Sequence, residues 1–231
     1  ASVTVGDATA VEAFKINKGT LTQDDFAMPL IHLTPYDGNP KPFPEVRAVG
    51  ITGIGEITVK CFDSENNEVE SLINAGSYNV YVTVTEGENY YAVTEPLQVW
   101  GSIRIEKSSG YSGTKTASAE LKAKNGETVE VTLPTLPDGA SYGAVTNANT
   151  SYFTVGAVTD GKVTVTSAKD WDRATENESK TFTIKVTGAT NYNDYDVTVT
   201  ITPVFKTVVT VSADADGFTY GTTGKTGYKN L

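Results

Sequence analysis

Apolar and polar residues alternate with a period of two along most of this chain. Such alternation, in segments rich in Val and Thr, is typical of half-buried β-strands. Residues 169–179, the best helical candidate, are polar nearly throughout and are predicted to be a loop with at most a short helical turn. The pattern therefore predicts an all-β fold. The three clearest apolar faces are formed by Tyr78, Val80, Val82 and Val84, by Phe182, Ile184 and Val186, and by Tyr195, Val197, Val199 and Ile201.

One strand pattern occurs twice along the chain. Residues 78–90 and 180–192 are each an alternating segment that ends in a turn and an Asn-Tyr pair. A strand-built repeat of this length predicts tandem immunoglobulin-like β-sandwich modules of roughly 100 residues each. The residues that correspond at the constant offset of 102 positions are Thr85 and Thr187, Asn89 and Asn191, and Tyr90 and Tyr192.

The recurrence of Tyr90 and Tyr192 predicts a structural role for both side chains. A Tyr beside a corner between strands can bury its ring and donate a hydrogen bond to a nearby backbone carbonyl. Tyr81 and Tyr91 have no repeat partner of the same kind, which makes them better candidates for surface residues.

Two dipeptides carry the signature of a two-residue hairpin loop. Asn125-Gly126 and Asp160-Gly161 each lie between two alternating segments. Asn-Gly and Asp-Gly supply the positive φ angles that such turns require. Both sites are therefore predicted to be β-hairpins.

A second recurrence predicts the module boundaries. Residues 14–19 and 103–108 are both short strands that end in Lys and a small residue, as expected where one module leads into the next. We expect a first module at 1–106, in which residues 1–18 lead in from a preceding element, a second at 107–206, and at 207–231 a strand and the start of a further repeat. Tyr220 and Lys225 have the same spacing as Tyr36 and Lys41 in the first module, which favours this third unit. The chain is thus expected to be part of a longer protein.

The junction between the modules has the composition of a stiff connection. Residues 97–106 contain no Pro and no Gly-Ser run, whereas a flexible tether is Gly- or Ser-rich over a longer span. Gly101 allows a bulge or bend within a strand. We expect an elongated, end-to-end pair of modules, with Trp100 packed near their interface.

Composition excludes several classes of function. The net charge of −10 argues against nucleic acid as a partner, because binding phosphates needs clustered Lys and Arg. No apolar run approaches the roughly 18 residues of a membrane helix. Cys61 is the only cysteine, so no intramolecular disulfide can form, and its place among Ile57 and Val59 predicts a buried structural thiol.

The first module resembles the MBG family, bacterial immunoglobulin-like repeats found in tandem in long surface proteins. The resemblance is carried by Tyr36-Asp37-Gly38, by residues 53–60, by Ala75-Gly76-Ser77-Tyr78 and by Gly87-Glu88-Asn89-Tyr90. Cys61 departs from it, since an aromatic residue is expected there. Residues 107–206 are similar to a second type of surface repeat through Leu133-Pro134 and residues 191–195. The resemblance implies an extracellular, envelope-attached bacterial protein with adhesin-like organisation and no catalytic residues to carry over.

The residues that could support catalysis or metal binding are few. His32 is the only histidine, so it alone could serve as the base of a nucleophilic site, but its place in Leu30-Ile31-His32-Leu33 predicts a strand residue that faces solvent. Asp214 and Asp216 are spaced like the start of a calcium loop, but the rest of that loop is missing, so a turn is predicted. Asp170-Trp171-Asp172, with Glu176 and Glu178, is predicted to be a solvated acidic loop or a calcium or sugar contact. We expect no enzyme and no cofactor.

Two functional hypotheses follow. The first is a structural stalk or display scaffold whose partners are neighbouring repeats of the same protein. The second is a module that binds a glycan or a host surface protein through loop aromatics. The candidate ligand contacts are Trp171, Tyr152, Tyr91 and Tyr81.

Overall fold

The computed structural model describes residues 2–5, 8–11, 16–29 and 33–206, the first two ranges by their backbone alone. The predictions for His32, for Asp214 and Asp216, and for the unit at 207–231 lie outside these residues. Apart from a short 3-10 turn at Gln23–Asp25, the regular structure described is all β. The strands are β1 (Ser2–Val5), β2 (Ala8–Val11), β3 (Phe26–Ala27), β4 (Arg47–Ala48), β5 (Ile57–Phe62), β6 (Glu68–Val69), β7 (Gly76–Val84), β8 (Val93–Ile105), β9 (Thr116–Lys122), β10 (Thr128–Thr132), β11 (Ser141–Thr146), β12 (Phe153–Thr159), β13 (Lys162–Ser167), β14 (Lys180–Thr187) and β15 (Tyr195–Val204).

Strands β3 to β8 enclose one hydrophobic core and are called the first module. They form a sheet in the order β6-β5-β7-β8 and a two-stranded β3-β4 sheet. Side chains of β7 alternate between buried and partly exposed from Tyr78 to Val84, as the sequence pattern predicts. The buried side chains of this core are Leu21, Phe26, Val46, Cys61, Leu72, Tyr78, Val80, Val82, Val84, Val99, Ile103 and Ile105.

Strands β9 to β15 enclose a separate core and are called the second module. One sheet has the order β11-β14-β15-β9, in which β9 runs parallel to β15, and the other has the order β10-β13-β12. Residues from both sheets meet inside, and the rings of Phe153 and Phe182 pack edge to face with centroids 5.9 Å apart. This is the two-layer arrangement of a β-sandwich. The prediction of an all-β sandwich fold is confirmed, while the module boundaries stay predictions.

The predicted hairpin at Asp160-Gly161 is confirmed. Thr159 pairs with Lys162 across the turn, and Asp160 and Gly161 have φ angles of 51° and 71°. These positive values match the type of turn that fits the twist of a two-residue hairpin.

The predicted hairpin at Asn125-Gly126 is wrong. Gly126 does have a φ of 80°, and the amide of Glu127 donates to the carbonyl of Lys124 at 3.2 Å, so a turn forms. However, β9 pairs with β15 and β10 pairs with β13, so the turn joins the two sheets instead of two neighbours in one sheet. Turn residues set the local backbone angles but do not decide which strand each flanking segment pairs with. Similar dipeptides can therefore join two strands of one sheet or two different sheets.

The predictions for Cys61 and Gly101 are confirmed, but that for Trp100 is wrong. Cys61 has no exposed surface. Gly101 has a φ of 112° and lies in a bulge, where the partner of Asn79 is Ser102 but the partner of Tyr81 is Gln98. Trp100, within this bulge, is 65% exposed and its indole N–H donates to Oδ1 of Asp24 at 2.9 Å. The bulge thus directs Trp100 to the side of the first module and not into a packed interface.

Candidate functional site at the junction of the two modules

The residues that precede the first module are bound to its Asn-Tyr corner. Gly19 forms a parallel bridge with Tyr90. Its amide donates to the carbonyl of Asn89 at 2.8 Å, and its carbonyl accepts from the amide of Tyr91 at 3.0 Å. A side chain at Gly19 would lie about 3.0 Å from the Tyr90 ring, so the small residue lets the two backbones meet.

The second module repeats this arrangement. Ser108 forms a parallel bridge with Tyr192. The amide of Ser108 donates to the carbonyl of Asn191 at 2.9 Å, and its carbonyl accepts from the amide of Asn193 at 2.9 Å. The sequence shows that two features recur: the Lys followed by a small residue at each module boundary, and the Asn-Tyr corner. It does not show that the two features are hydrogen-bonded to each other.

A lysine completes each arrangement, which we call the corner clasp. The ammonium of Lys18 donates to the carbonyl of Gly87 at 2.8 Å and forms an ion pair with Glu86. The ammonium of Lys107 donates to the carbonyl of Ala189 at 2.7 Å. Because Gly87 and Ala189 are again 102 positions apart, the clasp is part of the repeat. It ties each module to the segment that leads into it.

The two corner asparagines differ in what their side chains bind. In the first module, the side-chain amide of Asn89 donates to the carbonyl of Thr52 at 3.1 Å, within the same module. In the second, Oδ1 of Asn191 accepts from the amide of Ala75 at 2.8 Å and Nδ2 donates to Oδ1 of Asn74 at 3.0 Å. Asn191 therefore connects the second module to the end of the first.

Aromatic rings pack beside these hydrogen bonds. The ring of Tyr36, from the first module, meets Tyr192 edge to face with centroids 5.4 Å apart. Tyr192 also meets Tyr111 at 5.0 Å, and Tyr111 stacks on Tyr195 at 4.7 Å with an interplanar angle of 26°. The amide of Tyr36 donates to the carbonyl of Glu106 at 2.9 Å, which holds its backbone at the end of β8. We call Tyr36, Tyr111, Tyr192 and Tyr195 the tyrosine cluster.

The electrostatics of the tyrosine cluster favour neutral phenols. Burial, and then the neighbouring Tyr111, raise the pKa of Tyr195 to about 12. Its hydroxyl is buried without a hydrogen-bond partner among the described residues. Burial and the neighbouring Tyr36 also raise the pKa of Tyr192. The ammonium of Lys115 lies 5.8 Å from the Tyr111 ring centroid and 5.5 Å from that of Tyr195, within the range of a cation–π interaction.

A small cleft opens at this junction. Its volume is about 270 Å³. Asn74 and Ala75 hold Asn191 on one side, so the position of the cleft depends on the contact between the modules. It is lined by Tyr36, Tyr111, Pro137, Asp138, Asn191 and Tyr192.

Trp171, the first candidate ligand contact, proves to be part of the core of the second module. It is 6% exposed, and its indole N–H donates to the hydroxyl of Ser167 at 3.0 Å. The acidic neighbours Asp170 and Asp172 face other partners: Asp170 accepts from the amide of Asn125 at 2.7 Å, and Asp172 accepts from the amide of Ala174 at 2.8 Å. The prediction that Trp171 lies in a solvated loop, where a ligand could contact it, is therefore corrected.

Tyr152 lies next to Trp171 and is partly buried. Its ring meets the indole edge to face at 4.9 Å. The ammonium groups of Lys169 and Lys180 lie 4.7 Å and 5.0 Å from its centroid. The accessible face of Tyr152 is thus already paired with cations of the same module.

Tyr81 and Tyr91 both lie in the first module, but their environments differ. Tyr81 is partly buried and packs edge to face on Phe62 at 4.8 Å. Tyr91 is 50% exposed, and its backbone is held by the first corner clasp. The structure therefore does not gather the four sequence-predicted contacts into one patch. The tyrosine cluster, which it does gather, contains Tyr192 and Tyr195, which are close in the sequence, and Tyr36 and Tyr111, which the sequence did not connect to them.

The acidic loop of the second module caps its own turn. Glu176 accepts from the amide of Asp172 at 2.9 Å and pairs with Lys169, whose ammonium lowers the pKa of Glu176. The amide of Ala174 lowers the pKa of Asp172. Within the described ranges, no three His, Cys, Asp or Glu side chains are grouped closely enough to hold a metal ion. In the same part of the chain, no helix is long and apolar enough to cross a membrane.

No family model and no curated protein matches the chain. Among solved structures, Drosophila N-cadherin EC1-3 is 15% identical with a TM-score of 0.31, over 78% of this chain and 66% of that chain. Chicken VE-cadherin EC1-2 is also 15% identical, with a TM-score of 0.29, over 83% of this chain and 100% of that one. An endo-fucoidan hydrolase of glycoside hydrolase family 107 is 9% identical with a TM-score of 0.26, and the chain spans only 24% of its length.

Proposed function

We propose that this chain is a non-catalytic segment of a bacterial cell-surface protein, in which tandem immunoglobulin-like modules act as a stalk or display scaffold. The observation that carries this proposal is the set of contacts that Asn191 makes with Asn74 and Ala75 across the junction. A protein whose modules merely follow each other on a tether would need no such contacts. A stalk needs them, because stiffness at each joint gives reach.

The shortness of the connection supports a stiff junction. Strand β8 ends at Ile105, and Ser108 is already bound to the corner of the second module. Only residues 106 and 107 lie between these two points, and both are held: the carbonyl of Glu106 accepts from Tyr36, and Lys107 donates to Ala189. With so few unrestrained backbone angles, the range of orientations open to the second module is small.

The far end of the second module supports continuation of the array. The amide of Ala123 donates to the carbonyl of Val204 at 2.9 Å, which continues the pairing of β9 with β15 to the end of that strand. Val204 is 39% exposed, and Lys206 follows it in the place that Lys18 and Lys107 hold before the other two joints. We therefore propose modules at 1–106 and 107–206, with residues 207–231 opening another, and neighbouring repeats as the partners.

The proposed location is extracellular and attached to the cell envelope, as implied by the resemblance of residues 19–106 to MBG repeats. The exposed surface of an acidic chain suits such a location, because net charge opposes association between neighbouring molecules. Each module has its own apolar core, so we propose that neither needs a disulfide, metal or cofactor to fold.

Small-angle scattering on the full chain tests the stalk. We expect a pair distribution with two maxima, one for distances within modules and one for the distance between them. A narrow distribution of inter-module angles is expected as well, from paramagnetic or dipolar NMR measurements. A compact globule, or a broad ensemble of angles, would contradict the proposal.

A second candidate function is ligand binding, and the cleft at the junction is the observation that favours it. Sites for small ligands are often found between domains. We propose the junction cleft as the site in place of the loop aromatics Trp171 and Tyr152. Trp171 is buried, and the ring of Tyr152 contacts Trp171 and two lysines of the second module.

A further inference from the structure

The junction cleft has the chemical character of a binding site and is built by both modules. Tyr36 comes from the first module, while Tyr111, Asp138 and Tyr192 come from the second. The three rings line the cleft at angles to one another and leave about 270 Å³ between them. Pockets for drug-sized ligands have volumes of roughly 300–1,000 Å³, so this smaller cleft fits one unit of a larger ligand.

The lining residues select the class of ligand. Aromatic rings offer apolar faces with a partial negative charge, which suit the C–H groups on one side of a sugar ring. Asp138 supplies carboxylate acceptors for hydroxyl groups, and Asn191 has one amide hydrogen left beside the one that it donates to Asn74. No Lys or Arg lines the cleft, and the chain has a net charge of −10, so an anionic ligand is disfavoured.

Asp138 is positioned to accept hydrogen bonds from a ligand. Its carbonyl accepts from the amide of Thr190 at 2.9 Å, which fixes the backbone of its loop against the corner. Its side chain is exposed, and its carboxylate has no hydrogen-bond or ion-pair partner within residues 16–29 and 33–206. By contrast, the acidic groups Asp172 and Glu176 of the same module are engaged by their own loop.

We propose that the junction cleft binds one residue of a neutral saccharide, with Asp138 as the acceptor for its hydroxyl groups and Tyr36, Tyr111 and Tyr192 as its aromatic walls. This inference rests on the binding function given above as the second candidate, and it assigns that function a site. Because a ligand there touches both modules, it binds the closed junction in preference to an open one and stabilises the closed form. The stalk would thus become stiffer where it holds a glycan.

The test is a titration of the full chain, followed by NMR of isotope-labelled protein. The probes are glucose, galactose, mannose, N-acetylglucosamine, cellobiose, lactose, chitobiose and mannobiose at millimolar concentrations, with glucuronic acid as the charged comparison. We expect at least one neutral saccharide to shift resonances of Tyr111, Asp138 and Tyr192, and glucuronic acid to bind more weakly. Asp138→Asn should weaken binding at least about tenfold, because a neutral amide replaces the charged acceptor. Absence of binding by all of the neutral probes would overturn the proposal.

Two further variants distinguish the junction cleft from a site elsewhere on the chain. Trp100→Ala removes the exposed indole of the first module and should leave binding unchanged; if it abolishes binding instead, the site is elsewhere and the proposal is wrong. Tyr36→Ala should weaken binding although it alters only the first module. Scattering on the same samples reports on the stalk independently. A stiff junction without saccharide binding would refute this inference alone, and binding with a freely mobile junction would refute the stalk and the two-module site together.

Discussion

The side-chain amide of Asn191 donates to Oδ1 of Asn74 at 3.0 Å, although the two residues are 117 positions apart. The contact crosses from the first module to the second. Its counterpart in the repeat, Asn89, keeps its side chain within its own module by donating to the carbonyl of Thr52. One position of the repeat therefore serves a corner in one module and a junction in the next.

Asn191→Ala should loosen the junction without unfolding either module. The substitution removes both hydrogen bonds to the first module, each worth roughly 1 kcal/mol. We expect a broader distribution of inter-module angles by scattering and dipolar NMR, with the unfolding free energy of each module changed by less than about 1 kcal/mol. Asn89→Ala is the matched control, since it removes a bond inside the first module. A broadened junction in the control, or an unchanged one in Asn191→Ala, would show that Asn191 does not hold the modules.

Lys107→Ala should weaken the corner clasp of the second module. The ammonium donates to the carbonyl of Ala189, a buried residue, so the substitution leaves that carbonyl without its donor. We expect the second module to lose about 1 kcal/mol in chemical denaturation, because the lysine is exposed and water screens the bond. Lys124→Ala, an exposed lysine of the same module without a side-chain bond among the described residues, should change stability by less than about 0.5 kcal/mol. A loss of equal size in both variants would mean that the clasp adds no stability.

Trp171→Ala should destabilise the second module severely, which a residue that only contacts a ligand would not do. The side chain is buried and its indole N–H is bonded to Ser167, so truncation leaves a large cavity and removes that hydrogen bond. We expect a loss of about 3–5 kcal/mol, measured by urea denaturation. Trp100→Ala should cost about 1 kcal/mol or less, since its ring is already exposed. Similar losses in the two variants would show that the two indoles do not differ in environment.

The strands could be predicted because burial on each strand follows the sequence pattern. Residues of β7, β14 and β15 alternate between buried and more exposed positions, as their apolar and polar side chains predict. Asp160-Gly161 forms the hairpin that its turn residues favour. Asn125-Gly126 has equivalent chemistry but joins two sheets. The difference lies in which strand pairs with β9, and that choice depends on β15, more than 70 residues later.

The junction could not be predicted in detail, for a related reason. Asn191 and Tyr192 stand out by their recurrence, but their partners Asn74 and Tyr36 come from loops of another module. The burial of Trp171 is hidden in the sequence because its neighbours there are acidic, whereas the ring that packs on it, that of Tyr152, comes from the other side of the β12-β13 hairpin. Contacts between modules depend on how the surfaces of two folded modules fit together, and a local sequence pattern does not show this.

Cys61 should influence how the stability of the first module depends on pH. Burial raises the pKa of this thiol from 9.0 to about 11 in the folded protein. The folded state thus favours the neutral thiol, so its contribution to stability is complete below pH 9 and is lost as pH rises to 11. Over two pH units the loss is at most about 3 kcal/mol.

Urea denaturation of the first module between pH 8 and pH 11.5 measures this effect, with Cys61→Ala as the control. The control should be less stable at pH 8, because it leaves a small cavity, but its stability should fall less steeply between pH 9 and pH 11. The tyrosines with raised pKa values are present in both proteins, so their contributions cancel in the difference between the two curves, apart from that of Tyr78, whose pKa Cys61 itself helps to raise. Alkylation supplies a second readout: iodoacetamide at pH 8 should leave Cys61 unmodified in the folded chain and modify it once the chain is unfolded. Parallel curves, together with rapid alkylation of the folded protein, would show that the thiol is accessible and that its pKa is ordinary.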